Sequence, residues 1–145
     1  MQPSSLCVFV RDLKAAALTD AGGLNLADPE FTKTSYDASA AYRASKQANR
    51  MQAAGWAAAE AGAGITFASC HPGVSTSNVS LGLGFDLDRS EKSQREGAIT
   101  PIFLATTPTS QLTNGGYYAD SSESRCEFCG DKAAVTQLFD LCERS

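Results

Sequence analysis

The chain has 145 residues, 43% hydrophobic and 19% charged, with a formal net charge of -4 and a pI near 4.9. That length can bury one sizeable core and reads as a single domain. The acidic balance argues against a nucleic-acid-binding surface or a polybasic membrane patch and favours small-molecule partners. Five cysteines, Cys7, Cys70, Cys126, Cys129 and Cys142, fit a reducing compartment better than a disulfide framework. The N-terminal MQPSSLCVFV lacks the charged and apolar regions of a signal peptide, and no apolar run approaches the ~20 residues that span a bilayer. The expectation is a soluble chain, cytoplasmic or within an organelle, with no transmembrane segment.

In chain order, Leu6 to Val10 is a short apolar run with β-branched and aromatic residues, which suits a strand buried on both faces. Arg11 to Tyr36 carries Gly22-Gly23, Asp28-Pro29 and several hydroxyl residues with little periodicity, so it reads as a long surface connection. Asp37 or Ser39 can cap a helix running to about Ala61, ended by Gly62 and Gly64. Its second half is rich in Ala, with Gly55 among them, so a neighbouring element can approach closely. Ile65 to Cys70 reads as a second buried strand delivering His71-Pro72-Gly73 at its carboxyl end. Strand, helix and strand with short joints imply a right-handed parallel crossover.

Leu81 to Leu87 has the look of a lid, and Ser90 to Thr107 the pattern of a helix that Pro101 should kink or restart. There Glu91, Lys92, Arg95 and Glu96 fall on the wet side, with Ala98, Ile99, Ile102, Phe103 and Leu104 toward the core. Asn114-Gly115-Gly116 turns the chain into a short strand at Tyr117 to Ala119, and Asp131 to Glu143 is an amphipathic helix. The fold class is thus α/β, about three strands with flanking helices.

In open α/β sheets, ligands sit outside the carboxyl ends of the strands. Pro72 and Gly73 allow a tight turn there, and Thr76, Ser77 and Asn78 add hydrogen-bonding side chains. His71 beside Pro72 reads as a structural residue before it reads as a base. Tyr42 and Lys46 lie one helical turn apart, so a phenol and an ammonium share a face. A lysine so placed favours the phenolate, which suits general acid-base work near neutral pH. By itself the spacing arises by chance in roughly a quarter of chains of this length, so context must support it. Cys126-Glu127-Phe128-Cys129 has the gap of a zinc half-site. A structural zinc needs four ligands, so surface thiols are the ordinary reading and no metal is expected.

Tyr42-Arg43-Ala44-Ser45-Lys46 followed by Gln47-Ala48-Asn49, then Cys70-His71-Pro72-Gly73-Val74, resembles the C-terminal half of a short-chain dehydrogenase/reductase. More narrowly it is similar to the retinol dehydrogenase-like and protochlorophyllide reductase-like branch. Glu96 to Pro101, Gly115 to Tyr118 and the closing helix from Asp131 extend the likeness over nearly the whole chain. The resemblance implies one truncated Rossmann-type domain over residues 1–145, the C-terminal half of a doubly wound parallel sheet. It implies hydride transfer between NADP or NAD and a lipophilic alcohol, aldehyde or ketone. Tyr42 would be the acid/base and Lys46 the holder of the nicotinamide ribose. Pro72, Gly73, the backbone of Ser75 and the hydroxyl of Ser77 would lie against the cofactor.

Two departures stand beside the likeness. Where the family has a serine that polarises the substrate oxygen, this chain has Val10-Arg11-Asp12. The Gly-rich turn that receives a dinucleotide pyrophosphate is absent from the sequence. The implied enzyme is therefore impaired or inactive. The strand Leu6 to Val10 would become a sheet edge open to pairing, so homo-oligomers are possible, and a non-catalytic interaction module is the alternative function.

Overall fold

The computed structural model describes residues 5–10, 23–75 and 92–143, with the backbone alone for 5–10. Strands β1 (Ser5–Val10), β2 (Ile65–His71) and β3 (Gly116–Ala119) run parallel, and β4 (Ser122–Ser124) adds antiparallel to β3. Pairing sets Leu6 against Thr66 and Ser69 against Tyr117. This is the expected α/β architecture, a portion of a Rossmann-type sheet, with one short strand more than expected. β1 forms one edge of the sheet among the described residues.

Helix α1 (Ala38–Ala59) makes the crossover from β1 to β2. It starts where Asp37 accepts a hydrogen bond from the Ala40 N–H at 2.6 Å, one of the end donors that a helix cannot satisfy internally. It stops at Glu60, just ahead of Gly62. Between Ser90 and Thr107 the helix is interrupted, as expected, but at Ala98, three residues ahead of Pro101, giving α2 (Gln94–Gly97) and α3 (Ile99–Thr106). Ser93 and Glu96 form a reciprocal capping box that starts α2. Pro101 sits in the first turn of α3, where its missing N–H costs nothing. The chain ends in α4 (Lys132–Glu143), opened by Asp131 accepting from the Ala134 N–H at 3.0 Å.

Side chains alternate across a strand, so each strand feeds both faces. On one face Ala68, Cys70 and Tyr118 gather with Leu104 of α3. On the other, Phe67 stacks on Trp56 of α1 at 6.0 Å, and Trp56 meets Phe139 of α4 edge-on at 5.0 Å. Gly55 makes that approach possible, because a Cβ there would lie 2.8 Å from the Phe139 ring. Met51, Val135 and Leu138 form the rest of this helix-to-helix core. Arg50, only 2% exposed, donates to the Tyr117 hydroxyl at 2.7 Å, and its guanidinium lies over the Tyr117 ring at 3.9 Å and near that of Phe128 at 5.6 Å.

Two expectations fail. Ile99 and Ile102 are more than half exposed, because α3 turns Thr100 and Leu104 to the sheet instead. Cys126 and Cys129 are joined in a disulfide, where free surface thiols were expected. No helix among the described residues is long and apolar enough to cross a membrane.

Candidate active site at the carboxyl edge of the sheet

A helix that crosses between parallel strands begins at the edge where the strands finish. Its far end confirms the direction: Asn114 accepts from the Phe67 N–H at 2.9 Å and donates to the Ala57 carbonyl at 3.3 Å, tying the end of α1 to the start of β2. The first half of α1 therefore lies at the edge where His71 ends β2. Tyr42 and Lys46 are both half-buried there, and the Lys46 ammonium stands 5.2 Å from the centre of the Tyr42 ring. The helical spacing read from sequence thus brings the ammonium over the face of the phenol ring. Ser45, between them, turns its hydroxyl back to the Tyr42 carbonyl at 2.7 Å.

At the end of β2, Pro72, Gly73 and Ser75 are half-buried in the turn that follows His71. Gly73 has a φ of +92°, a conformation that favours glycine, while a Cβ there would meet only the flexible end of the Lys92 side chain, at 2.6 Å. The turn is pinned by the Lys92 N–H donating to the Val74 carbonyl at 2.8 Å and by a bridge between Ser75 and Lys92. Lys92 then reaches across to pair with Asp120 at the end of β3. The Lys92 hydrogen bond and charge hold the Asp120 carboxyl below the usual carboxylate range, with His71 contributing a smaller pull. Asp120 and Ser121 form the connection to β4, both with positive φ, as a two-residue hairpin turn requires. The Ser121 N–H donates to the buried Thr100 hydroxyl at 3.1 Å, which fixes α3 beneath this rim.

Sequence reasoning named Tyr42, Lys46, Pro72, Gly73 and Ser75, and the topology brings them to one edge. Ser77, with Thr76, Asn78 and the suggested lid at 81–87, lies outside the described residues, as does Arg11. Lys92 and Asp120 were missed. The Ser93 and Glu96 pair beside Lys92 was legible as a capping box, whereas nothing local marks Asp120 as the partner of a lysine so distant in the chain.

A separate cleft lies elsewhere. About 360 Å³ in volume, it lies between residues 27–33 and the end of α4, lined by Asp28, Lys33, Leu138, Leu141 and Cys142. Asp28 organises that loop. Burial opposes its ionisation, but the Thr32 and Thr34 hydroxyls and the N–H groups of Lys33 and Thr32 outweigh burial and bring its carboxyl down to about 2. Burial alone pushes the Cys70 thiol up to about 11, so it is an inert core residue. Among the described residues, no group of three or more His, Cys, Asp or Glu could hold a metal ion.

No family profile matches the chain. Over 89 residues it is 37% identical to a protein of Streptomyces sp. (strain C5) named as a daunorubicin C-13 ketoreductase, DnrU, in an overlap covering 59% of this chain and 30% of that one. A crystal structure of an uncharacterised protein from Mycobacterium paratuberculosis superposes on 97% of this chain with a TM-score of 0.67 and 19% identity. The chain covers half of that structure and under a third of the ketoreductase-named relative. The structural likeness shows the fold. The sequence match supports a partial relationship to an oxidoreductase of the ketoreductase kind, and gives no support to the retinol dehydrogenase-like branch in particular.

Proposed function

We propose that this chain carries the acid/base portion of a short-chain dehydrogenase/reductase site, serving hydride transfer to or from the carbonyl or alcohol carbon of a lipophilic small molecule. The observation that carries the reading is the Lys46 ammonium 5.2 Å from the Tyr42 ring on a helix that begins at the carboxyl edge of the sheet. In reduction, the Tyr42 hydroxyl gives its proton to the substrate oxygen as charge develops there. The neighbouring Lys46 cation stabilises the phenolate left behind. In oxidation the phenolate takes the proton back.

NADP or NAD supplies the hydride in enzymes of this kind. Lys46, Pro72, Gly73 and Ser75, with Ser77 by the family resemblance alone, would meet only the nicotinamide and ribose end of such a cofactor. Gly73 gives the turn its close packing, but the Lys92 side chain already fills the space beside it, and the sequence holds no Gly-rich turn for the pyrophosphate. These residues by themselves would hold the dinucleotide weakly or not at all.

Two measurements test the reading. The phenol of Tyr42, followed by ultraviolet or NMR titration, should ionise at higher pH in Lys46→Met than in the unaltered chain. An unmoved midpoint would sink the dyad. NADPH-dependent turnover of a lipophilic ketone, measured at high cofactor concentration, should fall by about a hundredfold or more in Tyr42→Phe. Equal turnover in the two would assign the chemistry to other residues.

A further inference from the structure

The Cys126 and Cys129 pair is not used by the carbonyl chemistry, yet it sits against the helix that carries Tyr42 and Lys46. The two cysteines are bonded to one another with their Cα atoms 5.4 Å apart, and both are half-buried. Between them Phe128 begins a short 3-10 turn (Phe128–Gly130) and packs against the core of Met51, Val135 and Leu138. Its ring lies 5.6 Å from the guanidinium of Arg50. Arg50 is one helical turn beyond Lys46 on α1. The Cys129 sulfur itself lies 3.5 Å from the Arg50 carbonyl.

A disulfide that closes so short a segment, three residues in sequence separation, removes little freedom from the unfolded chain compared with one that closes a long loop. Global stabilisation is thus a poor account of it. The two-residue gap is the spacing of cysteines that exchange with other thiols, and partial exposure lets a small disulfide reach them. Cys70 is buried and Cys142 exposed, and both are free thiols.

We infer that Cys126 and Cys129 form a reversible thiol–disulfide site that exchanges with small thiols of the glutathione class, and that its oxidised form clamps Phe128 against Arg50 and so braces α1. In the oxidising direction, the thiolate of one cysteine attacks a sulfur of glutathione disulfide, forming a mixed disulfide and releasing one glutathione thiolate. The second cysteine's thiolate attacks the protein sulfur of that mixed disulfide, closing the Cys126–Cys129 bond and releasing the second glutathione. Two electrons pass to glutathione disulfide, and the two thiol protons go to the released thiolates. Reduction by two glutathione molecules is the reverse. The inference does not depend on the proposed carbonyl chemistry.

The full chain is equilibrated across glutathione buffers from fully reduced to fully oxidised, alkylated to trap its thiols, and read by peptide mass spectrometry. Cys126 and Cys129 should pass together from doubly alkylated to joined, lacking two hydrogen atoms, within the span of the buffers. A pair that stays alkylated throughout, stays joined throughout, or joins to Cys142 or Cys70 overturns the exchange site. Hydrogen exchange on the same samples reads the coupling: amides of residues 47–54 should exchange several-fold more slowly in the oxidised chain, and Cys126→Ser should abolish the dependence on buffer. A pair that cycles while those amides keep one rate overturns the bracing of α1.

Discussion

The two ends of the parallel sheet are built from different materials. Where β2 and β3 begin, Asn114 bonds both β2 and α1, Phe67 stacks on Trp56, and Trp56 meets Phe139. Where they finish, the contacts are the half-buried Tyr42 and Lys46, the Pro72-Gly73 turn and the exposed pair of Lys92 and Asp120. The first end is a packed base built on stacked and edge-on aromatic rings around the buried Phe67. The second is a polar rim whose groups keep access to solvent, as groups that must meet a substrate do. A scaffold of this kind separates the cost of holding a fold from the freedom to do chemistry.

Substitutions can break that contrast, and the largest effect belongs to the base. Phe67→Ala removes a ring that is 7% exposed and stacked on Trp56, and should cost about 3 kcal/mol or more in urea unfolding. A loss below about 1 kcal/mol would mean the base is loosely packed. Asn114→Ala removes the side-chain partner of the Phe67 N–H and the Ala57 carbonyl, and should cost about 0.5–1.5 kcal/mol, with faster amide exchange at the start of β2.

At the rim the smallest change is expected. Asp120→Asn ends an exposed ion pair, worth well under about 1 kcal/mol once solvent screening is allowed for. Because Lys92 lowers the Asp120 carboxyl in the folded chain, its contribution is present above the unfolded carboxylate value of about 3.9 and fades as pH falls through the lower folded value. The difference between the unaltered chain and Asp120→Asn should therefore shrink in strong acid and at high salt. A large, salt-insensitive loss would place Asp120 with the base instead.

The base was more legible in the sequence than the rim. Apolar runs announced β1 and β2, and the Asp37 cap and the Ala-rich stretch around Gly55 announced α1 and its close neighbour, because those signals are local and their physics is burial. Tyr42, Lys46 and Gly73 were legible for the same reason, each being marked by spacing or by a turn. What stayed hidden depends on partners far along the chain. β4 is three polar residues with no alternation to detect, and it exists only because a tight turn folds it onto β3. Ile99 and Ile102 look like core by hydropathy, but the rotation of α3 is set by Thr100 and Leu104 packing on the sheet. The two-residue gap between Cys126 and Cys129 was visible, but not the bond, because the same spacing serves free thiols and metal ligands.

The Asp120-Ser121 turn also bears on the order in which the sheet can assemble. It joins β3 to β4 across two residues, a closure that hairpins complete in roughly 1–10 μs. The pairing of Ala68 with Gly116 must instead bring together distant parts of the chain, at a much greater entropic cost. The strand that seals the parallel sheet is therefore available as one arm of a ready-made hairpin. The slow event is its docking against β2, and Asn114, at the entrance to β3, is placed to latch that docking as it occurs.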